Sequence, residues 1–216
     1  MIKFKINKII KVLLVSDLIF WAGWGLVAPI FAVFIVQQIQ GGNALVVGVA
    51  AAIYSALLAI LRIPMGLYLD SQPNQKADLL FTAAGLFIAA FVSFGFIFAT
   101  APWHIYALQA IHAIGMAMNL SGFSALFTRN IDKGRESTEW GIDATVVSIG
   151  SAASAIIGGW IVMRFGYTMV FSLVGILGLL GSAALLFIKN DLDKNSGRGL
   201  YFSFKELLQK SNEGRL

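Results

Sequence analysis

Apolar residues run along this chain in six long blocks separated by short polar connections. The blocks fall at roughly 12–38, 44–69, 78–100, 102–127, 140–163 and 166–188. Each reaches the ~20 mostly apolar residues that an α-helix needs to cross a bilayer. The connections are QQIQGGN, DSQPNQK, TAP, RNIDKGREST and RFGY, all short enough to turn one span into the next. Transmembrane β-barrels lack such continuous apolar runs, because their strands alternate lumen-facing and lipid-facing residues. The pattern therefore predicts an all-α membrane protein, a bundle of six transmembrane helices.

Composition sharpens that picture. Only 12% of the 216 residues are charged and 58% are apolar, whereas a soluble domain carries about a quarter charged residues on its wetted surface. Seventeen Phe and 22 Gly suit helices whose small residues pack together while large ones meet lipid. The chain divides into a basic N-terminus (1–11), a transmembrane domain (12–189) and a tail (190–216). Lys3, Lys5, Lys8 and Lys11 resemble the basic start of a signal peptide, but the apolar run behind them is too long and lacks a small-residue cleavage site. In the tail, LYFSFKELLQK is either a short amphipathic helix on the inner leaflet or a frayed end.

Charge gives the orientation. If the N-terminus, the second and fourth connections and the tail share one side, every Lys and Arg except Arg164 lies at that side. Cytoplasmic segments retain positive charge, so both termini are expected in the cytoplasm, with a bacterial plasma (inner) membrane as the expected location. The net charge of +5 then marks membrane orientation and argues against a nucleic-acid partner.

The second block ends RIPMGLYLDSQPNQK, with Gly66 and Asp70 at i, i+4 and a basic Lys76 after the turn. These positions resemble the G-x-x-x-D-(R/K)-x-G-(R/K) signature of the major facilitator superfamily, from which Ser71 and Asn74 depart. GSAASAIIGGWIVMRFGYTMVF is similar to the family's glycine-rich fifth helix and the opening of its sixth, and GWGLVAPIF, with Pro29 placed to bend the helix, to its first. The resemblance spans all six helices. Members usually have twelve, in two related halves, so it implies one half, the N-terminal one, built of two three-helix repeats. Gly150, Ser154 and Gly158 recur at i, i+4, i+8 and form a small-residue stripe. The stripe either packs the fifth helix inside one bundle or seats a second copy, since helices 2 and 5 of the family face the opposite half.

Ionisable groups within membrane spans are costly and point to protein interiors or wet cavities. Asp17 and Arg62 stand about 9 and 12 Å from the same boundary, depths suited to an ion pair, and Asp143 competes for Arg62. Arg62, Asp70, Arg129 and Asp143 are the candidates for a charge network, either structural or gating, at the inside-facing end. Gln109, His112, Met116 and Asn119 follow i, i+3, i+7, i+10 and share one face of the fourth helix at mid-depth. The resemblance makes helices 1 and 4 cavity-lining, so Asp17, Trp24, Gln109, His112 and Asn119 are the candidate substrate-cavity residues. His112 is either a carrier of a coupling proton or a hydrogen-bonded packing residue. His104, beside Trp103 after Pro102, is read as an interfacial anchor.

Other chemistries lack their residues. No glycine loop followed by Lys-Ser/Thr offers an ATP site, and no H-E-x-x-H or G-x-S-x-G occurs. With two His and no Cys, neither a metal nor a cofactor is expected, nor an enzymatic activity. The expected function is secondary active transport of a small solute by alternating access, driven by a proton or a solute gradient, by a homodimer or with a second half-transporter. The lack of an arginine at the cavity stripe favours neutral, cationic or hydrophobic solutes. The alternatives are a non-transporting half-unit that assembles with another membrane protein, and a fragment of a twelve-helix transporter.

Overall fold

A computed structural model describes residues 7–192, which places the tail beyond Leu192 and its amphipathic segment outside the described residues. The described residues are helical throughout, and five helices are long and apolar enough to cross a membrane. The first is a composite rod: α1 (Lys8–Val27), a 3₁₀ turn (Ala28–Ile30) and α2 (Phe31–Gln38). Pro29 sits in that turn, where its missing N–H and ring interrupt the α-helical ladder and bend the rod. Next come α3 (Ala44–Asp70), α4 (Lys76–Ile97) and α5 (Pro102–Asn130). The longest is α6 (Glu136–Leu185), and a 3₁₀ turn leads on to a short α7 (Lys189–Leu192). Asn7 and Asn43 cap α1 and α3, each accepting an N–H three residues on. His104 does comparable work at α5, where its Nδ1 accepts from the Thr100 and Ala101 amides at 3.2 and 3.1 Å. Trp103 packs on the same imidazole.

A continuous helix as long as α6 would extend ~75 Å, more than twice the apolar thickness of a bilayer. It does not run straight. Gly166 has φ 78° and ψ 177°, a conformation essentially confined to glycine, and the two arms flanking it turn back on each other. Along the first arm, Gly150, Ser154 and Gly158 meet Leu18, Gly25 and Leu26 of α1, so numbers rise together. Along the second, Phe171 meets Phe34, Leu177 meets Gly23 and Gly181 meets Ser16, so numbers rise on one side and fall on the other. The first arm is therefore parallel to α1 and the second antiparallel.

These contacts show what the small-residue stripe packs against, the first of the two readings offered for it. A Cβ on Gly158 would lie 1.9 Å from the Leu26 carbonyl oxygen, and one on Gly150 would strike the Leu18 side chain. Gly150, Ser154 and Gly158 are thus filled by α1 of the same chain and are not a free seam for a second copy. Backbones approach closely here because nothing larger than a hydroxymethyl stands between them.

Two apolar clusters divide the interior. One gathers Ile9, Leu13, Phe127, Leu185 and Ile188 at the end that also carries Lys8, Asp70 and Arg129, hereafter the basic end. The other gathers Val27, Phe34, Phe96 and Phe171 at the far end. At the basic end the start of α1 meets α7 and the end of α5, with Lys8 Nζ 2.6 Å from an Asp191 oxygen and Asn7 donating to the Asn130 carbonyl. In contrast, α3 leans chiefly on α5, and only 11% of its apolar window is buried.

Candidate functional site

The site is built where α1, α3 and α5 meet. α3 and α5 run parallel: Tyr54 faces His112, the Arg62 carbonyl faces Ser121, and Leu69 faces Arg129. α1 runs against α5, since Trp24 faces His112 whereas Asn7 reaches Asn130. Seven residues back along α1 and seven forward along α5, Asp17 and Asn119 therefore stand at one level, about 10 Å nearer the basic end than His112.

His112 is 2% exposed, its ring packed against Trp24 (centroids 4.5 Å apart) and Tyr54 (5.2 Å). Neither ring nitrogen has a hydrogen-bond partner, and the same holds for Gln109 Oε1 and Asn119 Oδ1, all buried. The Asn119 amide donates to the Thr82 carbonyl of α4 at 3.4 Å. Over ten residues of α5, about 15 Å, three side chains thus hold polar atoms that the fold leaves unsatisfied. Burying such groups costs about 1–3 kcal/mol each, a cost that a ligand offering complementary groups would offset. Of the expected cavity residues, Gln109, His112 and Asn119 are buried along α5 and Trp24 packs on His112, while Asp17 lies level with Asn119.

Asp17 does not pair with Arg62. Its neighbours are the Trp21 indole and the Asp143 carboxylate, the latter buried with Oδ1 unpartnered. Arg62 is exposed and makes no ion pair among the described residues, so neither it nor Asp143 joins the charge network expected of them. That network forms around Arg129. Its Nη1 lies 2.6 Å from Asp78, and its Nη2 donates to the Leu69 carbonyl at 3.0 Å and lies 4.0 Å from Asp70. Alongside, the Asn130 amide donates to Gln75 at 2.7 Å.

Asp78 and Tyr54 are the residues that sequence reasoning missed. Asp78 opens a span two residues after Lys76, at a boundary where acids are commonly solvated, yet its side chain is fully buried. The available signal was that Asp70, Asp78 and Arg129 all fall at one boundary, two acids around one arginine. Among the described residues, no three His, Asp or Glu side chains converge as a metal site would require.

A bundle of helices long and apolar enough to cross a membrane, with buried polar side chains on one of them, has the architecture of a polytopic membrane protein. The family model of the Major Facilitator Superfamily matches residues 13–208, and the chain belongs to that family. It is an integral membrane protein of a transporter family, not of an enzyme family. No curated protein matches the sequence.

Proposed function

We propose that this chain is a half-sized secondary transporter that moves a small solute across the membrane by alternating access. The two arms of α6 act as separate crossings, giving six in all, arranged as two three-helix repeats equivalent to the N-terminal half of the family fold. The basic end faces the cytoplasm, with both termini there, in a bacterial inner membrane. The observation that carries the reading is the set of buried, unsatisfied polar atoms on Gln109, His112 and Asn119 of α5, with His112 packed against Trp24 of α1. With Trp24 and Asp17 they line the solute path, and His112 is the candidate for a coupling proton. The Arg129–Asp78–Asp70 cluster holds the inner ends of α3, α4 and α5 together in one of the two access states.

The sparse coverage of α3 favours a second half beside it, either another copy or a separate chain. A panel of small neutral, cationic and apolar solutes, tested on proteoliposomes loaded with a pH-sensitive dye, examines the proposal. The expected result is a solute-dependent signal that Asn119→Leu abolishes. Silence across the panel, together with a co-purifying membrane protein, would replace transport with the role of an assembly partner.

A further inference from the structure

On the face of α5 turned away from this stripe lies a second polar feature. Ser121 follows His112 by nine residues, two and a half turns, so it projects from the opposite side of the helix. There α3 and α5 enclose a groove of about 390 Å³ whose polar lining is Arg62, Asp70, Ser121, Ser124, Thr128 and Arg129. Gly66 keeps it open, since a Cβ there would meet nothing within 4 Å. Arg129 is committed to Asp78, but Arg62 has no carboxylate within ion-pair distance among the described residues.

An arginine standing two turns inside a span without a counter-charge is costly, and its long stem normally carries the guanidinium towards the headgroups. The hydroxyls of Ser124 and Thr128 add donors, Ser121 being already bonded to the Arg62 carbonyl, and the one nearby acid, Asp70, is largely exposed and turned to Arg129. We infer that this groove binds a phosphate group, and that its occupant is the headgroup of an anionic phospholipid in the leaflet at the basic end. A phosphodiester accepts a bidentate guanidinium and hydroxyl donors together, and basic pockets between membrane helices recognise such headgroups generally. This site is separate from the proposed solute path and does not depend on transport.

The test uses the full chain in dodecyl maltoside, titrated with palmitoyl-oleoyl phosphatidylglycerol or its phosphatidylcholine counterpart and read by native mass spectrometry. Phosphatidylglycerol is expected to be retained in preference to phosphatidylcholine. Arg62→Gln should weaken its binding about tenfold, and Thr128→Leu, which fills the groove without changing charge, should do likewise even if Arg62→Gln folds poorly. Arg164→Gln, at the far end, should leave binding intact. Displacement by inorganic phosphate would support the anion site while making soluble phosphates its ligands too; failure of phosphate to displace supports a lipid occupant. Equal retention by all variants overturns the inference. So does an Arg62→Gln variant that keeps its lipid but changes oligomeric state, which would give the arginine a protein partner.

Discussion

His112 and Asp78 are both buried polar residues, but one has no partner and the other has a strong one, and their substitutions should separate accordingly. His112 packs against two aromatic rings with both nitrogens unsatisfied. A phenylalanine keeps the ring packing and removes the unsatisfied atoms, so His112→Phe should melt no lower than the parent in detergent while losing solute uptake. A lower melting temperature would show instead that the imidazole is a structural hydrogen-bonding residue. For Asp78 the reverse holds. Arg129→Gln leaves a fully buried carboxylate without its cation, a loss of the order of 3–5 kcal/mol. Asp70→Asn should cost under ~1 kcal/mol, because Asp70 is 78% exposed and 4.0 Å from the arginine. Denaturation of the purified variants compares the two directly, and equal losses would mean that the Arg129 cluster does not rest on Asp78.

Element boundaries were legible because lipid imposes a length rule on apolar runs, and the polar connections interrupt them where the helices turn. At RFGY the structure adds a reason the sequence reading did not use, that its glycine alone tolerates the φ of 78° found at Gly166. What a helix packs against was less legible. The period of Gly150, Ser154 and Gly158 announces a close approach but carries no information about which backbone approaches. The same logic hid the fate of Arg62, since depth along a helix does not specify rotation about it. These contacts now give an internal contrast. Gly158→Val should disrupt the α1–α6 packing, because its Cβ would overlap the Leu26 carbonyl, whereas Gly159→Ala, one residue on and facing open space, should be tolerated. Thermal stability in detergent should fall sharply for the first variant only. Similar losses in both would place the close contact elsewhere.

At the scale of the whole molecule, the half-bundle is lopsided: α1 is wrapped by both arms of α6, while α3 is bare along most of its length. The first arm of α6 is also exposed on the side away from α1, at Ala144, Ser148 and Ala152. Tracing register from α3 through α5 and α1 to that arm sets Ala59 and Ala152 at one depth, both exposed. A two-fold axis along the membrane normal preserves depth, so in a parallel homodimer Ala59 of one copy can face Ala152 of the other. The chain has no cysteine, which makes the double variant Ala59→Cys, Ala152→Cys a clean reporter. Oxidation in native membranes should yield a covalent dimer, and Gly150→Cys should not, because α1 covers that position. If the double variant stays monomeric on a gel while the protein still transports solute, the second half must be a different polypeptide, and the search moves to whatever membrane protein co-purifies with α3 uncovered.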